Sequence, residues 1–291
     1  MEPEAQPAVC PRHPDRPAPL GCARCGRPMC VEDAVEAPVG HHCIDCVRAG
    51  GSPSGGAGAA RVTRAAVATI VVVHLVTLLD RGAALTAFGL IPLAVGSGQW
   101  WRLITSALLH GNIVHLAFNA LLLLRLGEAL ERPLGHGRAA ALLAAGAAGG
   151  SLGVVVMAWV TVSTGLATVP IVGRLVATSP SSISIGASGA VFGLMGALLV
   201  AHRARGLDPW RSEVGSLVVL NLVLTFLVPA ISIGGHLGGF AAGWIAGRTL
   251  LSGHGGPAGR RRATRLVALG SLTLIAAGWW LARATLLVVL P

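Results

Sequence analysis

The chain is 291 residues long, 53% hydrophobic and only 12% charged, with a mean hydropathy of +0.71. A soluble domain carries roughly 25% charged residues, so this composition excludes an ordinary water-soluble globule and points to a polytopic, all-α membrane protein. The net charge is +10 and every basic residue is Arg; the arginines lie between apolar runs without an RNA- or DNA-binding motif, which excludes nucleic acid as the expected partner and marks them as topology determinants.

Residues 1–48 form a Cys/His-rich head, and all six Cys fall between Cys10 and Cys46. The first residues are polar and Pro-rich, without the charged-then-apolar order of a signal sequence, so the amino terminus is expected to stay untranslocated. Clustered Cys in a reducing compartment indicate metal rather than disulfides. The spacing reads Cys10-x-x-His13, Cys22-x-x-Cys25, Cys30-x-x-Asp33 and Cys43-x-x-Cys46, a zinc-ligand pattern. The head resembles a B-box-type zinc finger, whose pairs interleave. That resemblance implies Cys10, His13, Cys30 and Asp33 on one structural zinc ion and Cys22, Cys25, Cys43 and Cys46 on a second. Asp33 stands where Cys is commoner, and His41 or His42 could substitute for it. So short a segment has too little core to fold alone, and metal would supply its stability. Binding or regulation through a cytoplasmic partner is the expected role.

Residues 49–60 (AGGSPSGGAGAA) read as a flexible linker. The core follows at 61–252, then a basic loop and a last span at 253–291. Seven apolar spans are expected, at about 62–80, 112–128, 138–163, 186–203, 214–231, 236–251 and 265–289. A full crossing takes ~20 apolar residues, so the fourth and sixth are expected to be short helices starting beneath a water-filled cavity. With the amino terminus inside, every Arg except Arg81, Arg102, Arg174 and Arg283 falls on an inner segment or inner span end. This predicts the amino terminus in and the carboxyl terminus out. The stretch 81–111, with Trp100 and Trp101, is then an outer interfacial segment.

Ionisable groups at membrane depth are functional candidates by default. With this orientation, spans two, four and six all begin on the outer side. They deliver His110, His115 and Asn119, then Ser188, then His236, to one leaflet. A Ser hydroxyl needs a base to become a nucleophile, and His236 can be that base. Asp80 is the only acidic residue near enough in depth to orient it, so a dyad is expected rather than a triad. The Ser188 N–H, at a helix start, suits an oxyanion. His115 and Asn119, one turn apart, can supply side-chain donors. Metalloprotease and aspartyl chemistries lack their parts: there is no H-E-x-x-H and no acidic pair within the spans.

These residues spell a pattern similar to that of rhomboid intramembrane proteases. Gly186-Ala187-Ser188-Gly189 resembles the G-x-S-G motif, His110 through Asn119 the H-x-x-x-x-H-x-x-x-N motif, and His236 through Gly243 the H-x-x-G-x-x-x-G motif. Trp101-Arg102 and Glu131-x-x-x-Gly135 fit as well. The resemblance implies a six-helix bundle with a lateral entrance plus one carboxyl-terminal helix. It implies Ser188 as nucleophile, His236 as base and His115 and Asn119 as oxyanion donors, with no cofactor for catalysis. His110, Trp101 and Arg102 would be structural. Gly186, Gly189, Gly239 and Gly243 would support the site, the last two by pressing span six against span four. Substrates would be single-span proteins cut in or near their membrane helix, at a site opening to the outer side of a bacterial plasma membrane. The alternative reading is a catalytically silent binder of membrane proteins on the same fold.

Overall fold

The computed structural model describes residues 8–22, 25–36, 41–48, 60–80, 82–169, 173, 177–211, 213–228, 231–251 and 256–290. Linker residues 49–59, Arg24, Arg81 and residues 170–172, 174–176 and 252–255 are among those outside the described residues. The chain divides into two compact units, Met1–Ala59 and Ala60–Pro291.

The first unit has three small antiparallel pairs: β1 (Val9–Cys10) with β2 (His13–Pro17), β3 (Leu20–Gly21) with β4 (Pro28–Met29), and β5 (Ala34–Glu36) with β6 (His41–Cys43). A single turn of 3-10 helix, Val31–Asp33, and a short helix α1 (Ile44–Arg48) complete it. Its buried cluster is Cys10, Cys22, Met29, Cys30 and Cys43. Among the described residues the branched aliphatic packed against that cluster is Leu20, itself only partly buried.

The second unit is helical. Seven long helices are described: α2 (Arg61–Leu79), α6 (Ile113–Leu134), α7 (His136–Thr164), α8 (Ser188–Ala204), α9 (Glu213–Leu227), α10 (Ile233–Leu251) and α11 (Gly256–Val289). Between α2 and α6 lie three short ones, α3 (Ala83–Phe88), α4 (Pro92–Gly96) and α5 (Arg102–Thr105). Helices α2, α6, α7 and the Pro257–Val289 part of α11 are long and apolar enough to cross a membrane. Large apolar side chains stand exposed on α2 (Leu75, Leu78, Leu79), α9 (Leu220, Phe226, Leu227) and α11 (Leu269, Leu272, Trp280). So much outward apolar surface belongs against lipid rather than water.

Three expectations are corrected. The sixth span is not short: α10 starts at Ile233 and runs 19 residues, because Gly234 and Gly235 extend the helix where it packs on α7. The short helices are α8, at 17 residues, and α9, at 15, or roughly 22–26 Å of length. The basic stretch at Arg260–Arg262 is not a loop but the start of the 34-residue α11, since Arg and Ala are good helix formers and Pro257 suits a first helical turn.

The core sits around α8, where Phe192, Leu194 and Met195 are essentially fully buried. Helix α7 packs against α8, α10 and α11, and α10 packs against α8. Small residues make this possible. A Cβ on Gly150 would lie 2.9 Å from the Gly189 Cα, and one on Gly193 2.7 Å from the Gly146 Cα. In lipid, close backbone approach of this kind substitutes for the hydrophobic effect in joining helices. Elsewhere Glu131, 2% exposed at the end of α6, accepts from the Val62 and Thr63 amides at 2.9 and 2.8 Å. It thereby caps α2, and it also meets His136 Nδ1 at 2.6 Å.

Candidate active site

Helix α8 begins at Ser188. Just before it, Gly186 adopts φ +124° and donates its N–H to Ser106 O at 2.9 Å. A side chain at 186 would be strained by that φ, and its Cβ would come within 2.7 Å of His115 Nε2. The imidazole of His115 therefore occupies the space a side chain on Gly186 would fill, two residues from Ser188. Ser188 is partly exposed and lines a cavity of about 40 Å³ with Ser106, Ser184, Gly186, Ser232 and Gly235. A water needs roughly 10–15 Å³, so the cavity can admit one.

His236 is the fourth residue of α10 and 8% exposed. Its ring stacks on Phe192, centroids 4.0 Å apart at 23°, and Phe192 lies one turn after Ser188 on α8. The two helices touch through glycine. A Cβ on Gly239 or Gly243 would fall well inside contact distance of the Gly189 or Gly193 carbonyl. Among the described residues no hydrogen bond joins Ser188 to His236; such bonds are often long before substrate binds. His236 Nδ1 instead lies 2.6 Å from Thr225 Oγ1 on α9.

On α6, Asn112 caps the helix by accepting the His115 N–H at 2.9 Å. Asn119, 5% exposed, donates Nδ2–H to His115 O at 2.9 Å, which leaves its second amide hydrogen. The His110 and His115 rings lie 5.0 Å apart. His110 is 1% exposed, both its ring nitrogens lack a hydrogen-bond partner among the described residues, and its carbonyl accepts from His74 Nδ1 at 3.2 Å. Arg102, 6% exposed, donates to Gln99 Oε1, Thr86 O and Gly89 O at 2.6–2.7 Å. It thus ties α3 to α5, while Trp101 beside it is 38% exposed. Leu90 then bridges to Ser184, four residues before Ser188. Among the described residues Asp80 bonds to no imidazole: its carboxylate accepts the Gly82 and Ala84 amides at 2.9 and 3.0 Å and so starts α3.

Sequence reasoning missed three residues. Thr225 and Phe192 contact His236, and Glu131 caps α2 rather than merely ending α6. A lone Thr inside the apolar run of α9, and an aromatic one turn after Ser188, were the available signals.

In the head, Cys22, Cys25, Cys43 and Cys46 bring four Sγ atoms within 4.8 Å of one another, and Cys10, His13 and Cys30 form a second such group. The ligand atoms fit a metal. Tetrahedral zinc with Zn–S near 2.3 Å separates sulfurs by about 3.8 Å, and Cys25 Sγ lies 3.8 Å from Cys43 Sγ. His13 Nδ1 lies 3.2 Å from Cys30 Sγ and 3.9 Å from Cys10 Sγ. Hydrogen bonding to Cys25, then burial, push the Cys46 thiol up to about 12; thiols this close cannot all ionise without a cation among them. Asp33 stands outside the tight group of three, with Oδ2 4.0 Å from Cys10 Sγ. It is 1% exposed, and its Oδ1 has no partner among the described residues. The alternative His42 is half-buried, with Nδ1 likewise unpartnered.

Comparison with known proteins gives a consistent answer. The Rhomboid domain model matches residues 97–253, more than half the chain. Rhomboid protease GluP of Bacillus subtilis is 35% identical over 180 residues, which are 60% of this chain and 31% of that protein. RHOMBOID-like protein 5 of Arabidopsis thaliana is 34% identical over 163 residues, 54% of this chain and 46% of its own length. Rhomboid-like protease 1 of Toxoplasma gondii is 33% identical over 165 residues, 54% and 49% respectively. This chain thus spans less than half the length of each of these three relatives. A bundle of apolar helices in which α6, α8 and α10 carry His115, Ser188 and His236, matched by that domain from residue 97 to 253, makes this multi-pass membrane protein a member of the rhomboid family.

Proposed function

We propose that the protein is an intramembrane serine endopeptidase with Ser188 as nucleophile and His236 as general base. The observation that carries this reading is the glycine contact of α8 with α10. Gly189 and Gly193 meet Gly239 and Gly243, so Ser188 and His236 sit at neighbouring helix starts, with the His236 ring on Phe192. His236 takes the Ser188 Oγ proton as Oγ attacks the scissile carbonyl carbon. The oxyanion accepts hydrogen bonds from the Ser188 N–H at the α8 start, from His115 and from the second amide hydrogen of Asn119. Collapse of the intermediate expels the amine, protonated by His236. Water activated by His236 then hydrolyses the ester and regenerates Ser188.

Family membership implies membrane-protein substrates; we assign them as single-span proteins cut where Gly and other helix breakers unwind the substrate helix. The proposed arrangement has the amino terminus in the cytoplasm, the carboxyl terminus outside and the site opening outward in a bacterial plasma membrane, which the Arg distribution supports. The proposed divisions are a head at 1–48, a linker at 49–60, the protease core at 61–252 and the last helix with its basic start at 253–291. The head is proposed as a B-box-type module in which two structural zinc ions hold the fold. Cys22, Cys25, Cys43 and Cys46 bind one, and Cys10, His13, Cys30 and Asp33 the other. The buried, half-unpartnered carboxylate of Asp33 supports its place as fourth ligand.

The test is cleavage of a single-span reporter with a Gly-containing helix, co-reconstituted in liposomes. Wild type is expected to release two fragments, and Ser188→Ala and His236→Ala to fall by on the order of 10³-fold or more. A folded wild type that leaves the reporter intact but co-purifies with it would overturn the protease reading in favour of a silent binder.

A further inference from the structure

Thr225 lies on α9, two residues before its end, and is 2% exposed. Its Oγ1 has two close neighbours: the Asn221 carbonyl oxygen at 2.6 Å and His236 Nδ1 at 2.6 Å. A hydroxyl has one hydrogen and two lone pairs. The Asn221 carbonyl has no hydrogen to give, so the hydroxyl hydrogen goes to it. Thr225 Oγ1 is then an acceptor towards the imidazole, and Nδ1 must carry a hydrogen. In a neutral imidazole that assignment leaves Nε2 with the bare lone pair, because the bond made by one ring nitrogen sets the state of the other.

We infer that Thr225 is a positioning residue for the reaction: its hydroxyl, oriented by Asn221, holds His236 in the Nδ1–H tautomer with Nε2 free to take the Ser188 proton. The inference rests on the dyad reading above. It explains how this site does without the acidic partner that Asp80 does not supply. An acceptor at Nδ1 serves both stages of the cycle. It accepts from the neutral ring before proton transfer, and from the imidazolium afterwards, when Nε2–H must face the leaving amine. The Phe192 ring fixes the plane of the imidazole at 4.0 Å, and Thr225 fixes its rotation within that plane. Being neutral, the hydroxyl orients the base without adding the attraction a carboxylate would.

Thr225→Val keeps the shape and removes the acceptor, whereas Thr225→Ser keeps the acceptor and removes the methyl. Both are compared with wild type in the full-length protein for reporter cleavage, split into kcat and KM, and for the rate of fluorophosphonate labelling. Thr225→Val is expected to lose kcat and labelling rate by about 10- to 100-fold, the scale seen when a metal-bound histidine loses its orienting partner, with KM unchanged. Thr225→Ser is expected to stay within about threefold of wild type, since the orienting acceptor is kept. If Thr225→Val keeps wild-type kcat and labelling while Ser188→Ala loses both, the dyad stands and the role of Thr225 falls. If both Thr225 variants fall equally, the methyl rather than the hydroxyl matters, and the inference is overturned. If wild type neither cleaves nor labels, the dyad falls and takes this inference with it.

Discussion

In the helical unit the groups proposed for chemistry are held by backbone packed on backbone, while in the head the proposed ligands are themselves the core. Ser188, partly exposed, and His236 stand where α8 and α10 meet, beside a buried layer of Phe192, Leu194 and Met195, of which the His236 ring covers Phe192. In the head, four of the five residues in the buried cluster are Cys10, Cys22, Cys30 and Cys43, with Met29 the fifth. The difference has a consequence for mutation. The helical unit can lose its site and keep its fold. The head cannot lose a ligand without losing core, because little other apolar surface there offsets the entropy of ordering the chain.

The sharpest way to break this comparison is to remove a head ligand. Cys22→Ser, or a strong zinc chelator, is expected to unfold the head, since binding a structural zinc is worth roughly 10–16 kcal/mol to a small module at neutral pH. Elemental analysis should show zinc lost, and amide exchange should show head protection lost with the helices unchanged. Unaltered zinc content would contradict the ligand assignment. Next in size is Gly243→Val, because the new side chain would meet the Gly193 backbone. Overpacking of this kind costs about 1–3 kcal/mol or more, and thermal unfolding in detergent should fall together with Ser188 reactivity. A variant stable but inert would show that α8 and α10 shift apart without unfolding. The smallest effect is expected at Gly270 on α11, where an added Cβ meets nothing within 4 Å. Gly270→Ala is expected to stabilise by up to ~1 kcal/mol through helix propensity alone, with reporter cleavage unchanged. A loss of stability there would mean that α11 packs more closely than it does in this structure.

Much of the helical unit was legible because lipid imposes simple rules. Long apolar runs had to be helices, and a few polar residues among them stood out. His115, Ser188 and His236 stood out for that reason; in the fold His115 lies against Gly186 and His236 against Phe192. Helix ends were less legible. Hydropathy undervalues Gly, so α10 was expected to begin at His236 although Gly234 and Gly235 pack its first turn on α7. Positive charge hid the start of α11 for the same reason, since Arg reads as loop on a hydropathy scale yet forms helix well. Glu131 and Thr225 were hidden differently. What each does depends on a partner in another helix, Thr63 of α2 for one and His236 of α10 for the other, and no local pattern announces such a pair. In the head, spacing revealed the pairs, but which pair meets which is decided by three small hairpins.

The central claim is that this rhomboid-family chain holds an activated serine. The most direct measurement is reaction of the detergent-purified full-length protein with a fluorescent fluorophosphonate, beside Ser188→Ala and His236→Ala of equal thermal stability. Wild type is expected to label, and both variants to lose the labelling. A folded wild type that stays unlabelled, or labelling that survives Ser188→Ala, would contradict it.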